Sequence, residues 1–434
     1  MNKEILRLAI PNIISNITVP LLGMVDMALM GRMGSPVFIG AVSLGGIIFS
    51  VIYMGFGFLR MGTTGFTAQA FGRGNQTEIS YNLYRAMMIA FVIALLLLLL
   101  QKPIEWLSLL LLDGSDEVKT LTSKYFLIRI WAAPATLGLY AFMGWFIGMQ
   151  NTIIPMYIAI AINILNIVFN FFFVLWLGMD VDGVAWGTVL AQYSGFLIAV
   201  LAFFYKYKTF AIKLKYSLLI EAKELNRFFR VNADILIRTM LLIFTLSFFT
   251  SKSAGMGDDI LAINSIILQF FFVFSYFMDG FAYAGEALTG KLIGAASRNQ
   301  LVKLIRKLFI WGASLSLPFI LIYGFFPNIL IGLLTDNQSL LSQSRSYHFW
   351  MLLIPLTTFG AFIWDGIFIG ATASKAMRNT MIIAVLLIFM PTYLILPGIY
   401  FNHGLWVAFH LFMLSRAISM SLMAKKAVIG QIEI

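Results

Sequence analysis

The sequence predicts an all-α integral membrane protein, with about twelve transmembrane helices in two pseudo-symmetric six-helix lobes around a central cleft. Three observations predict this. Of 434 residues, 60% are hydrophobic and only 11% charged, with a mean hydropathy of +0.90, which no ordinary soluble domain matches. Lys and Arg concentrate on alternate loops, as they do in multi-span proteins. Two stretches of the first half also recur in the second half at nearly one spacing.

Each span is an apolar run long enough to cross a bilayer, bounded by polar residues. The first, 5–31, is entered directly from MNKEILRLAIPN without an A-x-A-like site, so it reads as a retained helix and not a cleaved signal. Pro11 and Pro20 each remove a helical N–H from it and are expected to bend it. The second and third spans are 37–67 and 79–101. An acidic loop with Asp113, Asp116 and Glu117 precedes the fourth, 118–146. The fifth, 153–177, and sixth, 183–206, flank Asp180 and Asp182. The basic stretch Tyr205–Arg230 leads to the seventh, 229–252, and Asp258 and Asp259 to the eighth, 259–290. The ninth, 302–335, is broken near Pro327; the last three are 343–370, 378–398 and 403–424. The expected lobes are therefore 1–204 and 229–434, joined by a linker at 205–228.

With the N-terminus inside, 21 of the 30 Lys and Arg fall on inner segments, six on outer loops, and Arg60, Arg129 and Arg238 within spans. That asymmetry explains the formal charge of +11 without nucleic acid and puts both termini on the cytoplasmic side. There is no cysteine, hence no disulfide or thiol chemistry.

The internal match pairs RMGSPVFIGAVSLGG onward with GMGDDILAINSIILQ onward: Gly34, Gly57 and Gly62 meet Gly257, Gly280 and Gly285 at a spacing of 223. One insertion then brings Asn75 onto Asn299. TLGLYAFMGWFIG lies over TFGAFIWDGIFIG at a spacing of 222. Six spans separate the copies, so both halves have one orientation, as in a parallel repeat suited to alternating access.

Ionisable groups inside a bilayer are costly and mark candidate sites. Asp26 is the only one between Arg7 and Arg32, in the outer half of the first span, just past Pro20. Asn163, Asn166 and Asn170, spaced i, i+3, i+7, share one face of the fifth span. Thr188 and Gln192 open the sixth at the same depth. One carboxylate with amide and hydroxyl oxygens is a proton or cation site in chemical type, although asparagines also serve as interhelical glue. In the second half, Asp234, Arg238, Asp279, Glu286 and Asp365 lie nearer the inner surface. They fit either a structural ion-pair network or a gate that contacts a cationic substrate. No H-E-x-x-H or nucleophile elbow is present, and His348, His403 and His410 are scattered in the chain, which argues against an enzyme.

VPLLGMVDMALMGRMG, GFLRMGTTGFTAQAFG, NILNIVFN, NADILIRT, GFAYAGEALTG and WDGIFIGAT resemble, in order and over essentially the whole chain, the multidrug and toxic compound extrusion (MATE) family, most of all its DinF branch. The resemblance implies the MATE fold of the MOP superfamily and cation-coupled export of amphipathic, cationic organic compounds across the bacterial inner membrane. It implies no cofactor and, as partners, small organic substrates and membrane lipids. The family's first-helix acid maps onto Asp26, its fifth-helix Asn onto Asn166 and its sixth-helix Thr onto Thr188. Where many relatives carry a second acid, this chain has Asn170. Protons are therefore the expected coupling ion, with sodium at Asp26, Asn166, Asn170 and Thr188 the alternative. A lipid or lipid-linked saccharide flippase on the related fold is the competing function; it calls for extra spans or a more cationic cavity. A monomer is expected.

Overall fold

The computed structural model describes residues 1–31 and 35–432, with the side chains at 19, 21–28, 30, 31, 397 and 399 outside that description. Every described element is a helix, because within a bilayer only helices or closed barrels satisfy the backbone internally. In order these are α1 (Asn2–Gly31), α2 (Pro36–Gly55), α3 (Phe58–Arg73), α4 (Gln76–Leu99), α5 (Gln101–Leu111), α6 (Asp116–Arg129), α7 (Ala133–Gly148), α8 (Ile153–Phe171), α9 (Val181–Lys206) and α10 (Tyr216–Leu219). There follow α11 (Ala222–Ala254), α12 (Asp258–Gly294), α13 (Arg298–Phe325), α14 (Pro327–Gly332), α15 (Gln338–Ser344), α16 (His348–Gly370), α17 (Ser374–Ile383), α18 (Met390–Ile395), α19 (Pro397–Tyr400) and α20 (Asn402–Ala427). Eleven candidate spans lie among the described residues, some built of two helices: α2 and α3 join near Gly57, and α6 and α7 join through a 3-10 turn. The chain is a membrane protein.

Residues Ile14–Phe229 form one compact unit; Met1–Ile13 and Arg230–Ile434 form the other. The first unit is centred on Trp145, buried against Phe146, Phe203 and Tyr207, with its indole N–H donating to the Ile79 carbonyl at 2.9 Å. Lipid gives apolar helices little reason to associate, so close approach at small residues carries the packing. Gly144 and Gly148 of α7 lie directly on α3, where a Cβ would collide with the carbonyl of Arg60 and the side chain of Thr67. In the second unit Gly366 and Gly370 of α16 lie on α12, against the carbonyls of Ala282 and Glu286 and the side chain of Thr289.

A spacing of 222 relates all of these: 144 to 366, 148 to 370, 60 to 282, 67 to 289. It also relates the helix ends. At α3 the Gly74 and Asn75 N–H groups turn back to Phe71 and Ala70; at α12 those of Ala296 and Ser297 turn back to Ile293 and Leu292. After α7 and α16 the same reversal is built on Gln150 and Thr372. All four reversals place one residue at positive φ, at 69°, 52°, 61° and 51°. The repeat is thus real, but its register in the first stretch is 222. The glycine identities at 223, and the insertion that followed from them, are one residue or more out of register. Glycine is common in membrane helices, and identity there follows composition, whereas helix contact fixes the true alignment.

Candidate functional site

In the first unit the three asparagines of α8 face two different helices. Asn163 Nδ2 donates to Thr18 Oγ1 of α1 at 2.8 Å, and Thr18 in turn donates to the Ser15 carbonyl at 2.7 Å. The other two build a directional chain. Asn170 Nδ2 donates to Asn166 Oδ1 (3.0 Å), Asn166 Nδ2 donates to Thr188 Oγ1 (3.0 Å), and the Thr188 hydroxyl donates to the Val184 carbonyl (3.0 Å). Asn166 and Asn170 are 2% and 1% exposed. Amides buried so deeply must be paired, because an unpaired one costs on the order of 1–3 kcal/mol. Gly187 of α9 makes room for this: a Cβ there would overlap Asn170 Oδ1. Immediately beyond the chain, α8 passes into a π-helical segment, Phe172–Trp176. The candidate cation site thus has its amides and its hydroxyl interlocked. Asp26 lies on α1, which continues through Pro11 and Pro20 as one helix, but its side chain is outside the described residues.

In the second unit Asp365 of α16 accepts from two guanidinium groups, those of Arg238 on α11 and Arg416 on α20, the latter at 2.7 Å. Asp365 is 7% exposed and Arg416 3%. Asp234, one turn before Arg238, goes elsewhere, accepting from Arg378 Nη1 (2.6 Å) and Ser374 Oγ (2.9 Å) of α17. Asp279 is half-buried and Glu286 buried, both on α12. Two of the three histidines, His403 and His410, meet at Trp350. His403 accepts from the Trp350 indole at 2.8 Å, His410 stacks on Trp350 and bonds Thr357 at 2.8 Å, and His348 pairs with Ser344.

The MatE family model matches residues 11–172 and 236–394, which include Asp26, all three asparagines, Arg238 and Asp365. The chain belongs to the MatE family. It is 35% identical over 420 residues to DNA damage-inducible protein F of Escherichia coli, covering 97% of this chain and 91% of that one. It is also 22% identical over 390 residues to the probable multidrug resistance protein NorM of Thermotoga maritima, covering 88% of this chain and 80% of the relative. Its fold matches that of the Vibrio cholerae MATE transporter VcmN in its bent form, with a TM-score of 0.87 at 17% identity over 99% and 97% of the two chains. Its relatives are therefore transporters of the MatE family.

Several functional candidates of this MatE chain escape a reading of its sequence. Arg416 and Arg378 count there as inner-surface cations, yet Arg416 is buried on Asp365 and Arg378 holds Asp234. A signal was present for Arg416, which falls inside the span 403–424. Arg85, likewise assigned to the inner surface, is buried and donates to the carbonyls of Leu218 (2.6 Å) and Leu219 (3.4 Å), capping α10. Gly187 had no signal beyond being a glycine one residue before Thr188.

Proposed function

We propose that this chain is a secondary antiporter that exports amphipathic, cationic organic compounds in exchange for protons by alternating access. Its lobes would be 1–204 and 229–434, in the bacterial cytoplasmic membrane, with both termini on the cytoplasmic side and the protein working as a monomer. The alternating Lys and Arg distribution and the Escherichia coli relative support that placement. Asp26 is the proton-carrying group. Deprotonated, it favours the substrate-accepting state; protonated from outside, it loses its charge, the bend around Pro20 relaxes, and substrate is released.

The observation that carries proton over sodium coupling is the donor chain from Asn170 to Val184. Sodium needs several oxygen ligands with enough negative charge to offset dehydration. Asn166 Oδ1 already accepts from Asn170, and Thr188 Oγ1 already accepts from Asn166. Asp26 would bring one charge. A proton needs only Asp26 in a place where burial raises its affinity for the proton. In the second lobe the Arg238–Asp365–Arg416 cluster acts as a structural tie, since both guanidinium groups are held by the one buried carboxylate. The test is efflux from proteoliposomes under separately imposed proton and sodium gradients. Efflux driven by a pH gradient without sodium supports the reading; a steep sodium requirement with no response to pH overturns it.

A further inference from the structure

Where α17 begins and α20 ends, the surface of the second unit carries an open cavity of about 560 Å3. Lys375 and Lys426 line it together with Ser374, Asn379, Leu422 and Met423. Both lysines are exposed, and neither makes an ion pair among the described residues. Ser374 reaches Asp234, but that acid is already neutralised by Arg378 at 2.6 Å, so among the described residues the lining is net cationic. Leu422 and Lys426 are four residues apart and share a face of α20. Leu422 is 80% exposed, so within one turn this face passes from a bare aliphatic side chain to an ammonium.

The repeat shows how the corresponding place in the other unit differs. At a spacing of 222, Ile153 stands where Lys375 does and Phe204 where Lys426 does. There the crevice is filled: Asn151 Nδ2 donates to Tyr207 Oη at 2.8 Å, and Tyr207 and Phe210 pack edge-on against Trp145. In the second unit the chain beyond α20 enters a 3-10 turn, Ile429–Ile432, from which Gln431 lines the cavity without closing it.

We propose that this cavity binds the headgroup of an anionic phospholipid from the leaflet it faces. Lys375 and Lys426 hold the phosphate, Ser374 and Asn379 offer hydrogen bonds, and Leu422 and Met423 receive the first methylenes of the acyl chains. Free phosphate shares the attraction to the ammonium groups but gains nothing from the apolar wall, so the lipid is the occupant. By the charge distribution of the chain, the leaflet is the cytoplasmic one, where anionic lipids attract basic groups.

The test is native mass spectrometry of the full-length protein in detergent with equimolar dioleoylphosphatidylglycerol and dioleoylphosphatidylcholine. The wild type should retain phosphatidylglycerol preferentially. Lys375→Gln/Lys426→Gln should reduce that retention about tenfold or more, since each lysine at an anionic surface is worth roughly a fivefold factor. Lys206→Gln/Lys208→Gln, which removes two exposed lysines elsewhere, should leave it unchanged. Equal loss in both double variants would mean diffuse charge attraction and overturn the proposal. So would full retention by Lys375→Gln/Lys426→Gln with an unchanged melting temperature. Displacement of the lipid by millimolar glycerol 3-phosphate as effectively as by phosphatidylglycerol itself would overturn the assignment to a lipid.

Discussion

Asp365 serves two buried arginines, and the count of charges predicts which loss is tolerated. Removing Arg416 leaves one acid with one base. Removing the carboxylate leaves two guanidinium groups buried together, at a cost of roughly 3–5 kcal/mol. Asp365→Asn is therefore expected to lower the melting temperature far more than Arg416→Met does; equal shifts in thermal unfolding would show that the cluster is not held by charge balance. In the first unit, Gly187→Ala should push Asn170 out of its bond to Asn166 and slow efflux under a pH gradient severalfold, while Gly46→Ala, at a position with open space around it, should not. Comparable efflux by the two variants would remove the amide chain from the mechanism. The Asn spacing on α8 could be read from sequence because i, i+3, i+7 puts side chains on one face whatever the fold. The pairing of Arg238 with a second-half acid was legible too, since both are charges within spans; the partner of Asp234 was not, because Arg378 sits at a span end, where a loop cation and a buried one look alike in sequence.

At the scale of elements, the reversals that end α3, α7, α12 and α16 show what the repeat preserves. Backbone geometry is kept at each, yet only the first carries glycine, at position 74. Ala296 holds the same turn at positive φ with a side chain that the left-handed region penalises by about 1 kcal/mol. Ala296→Gly should accordingly raise the melting temperature by a few degrees; a decrease would mean that the methyl group packs better than the turn is strained. On α1, Pro20→Ala restores a backbone donor and should slow turnover more than it weakens substrate binding, and unchanged turnover under the same gradient would exclude the bend from the cycle. The helices themselves were legible from apolar runs, including the break at Pro327. The register of the repeat was not, since contacts between α3 and α7 and between α12 and α16 set it and sequence identity does not.

For the whole molecule, the proposed cycle exchanges a proton carried by Asp26, on α1, for a cationic substrate. Restoring an acid on α8 with Asn170→Asp should add a sodium dependence to efflux that the wild type lacks, measured against external sodium at fixed pH. Counting protons shows whether Asp26 carries the exchanged one. When a cationic substrate is added to purified protein in weakly buffered detergent solution, a pH indicator should report release of about one proton per substrate bound by the wild type. The Asp26→Asn protein should bind without releasing any. Equal proton release by the wild type and Asp26→Asn would contradict the account, because the exchanged proton would then reside on another group.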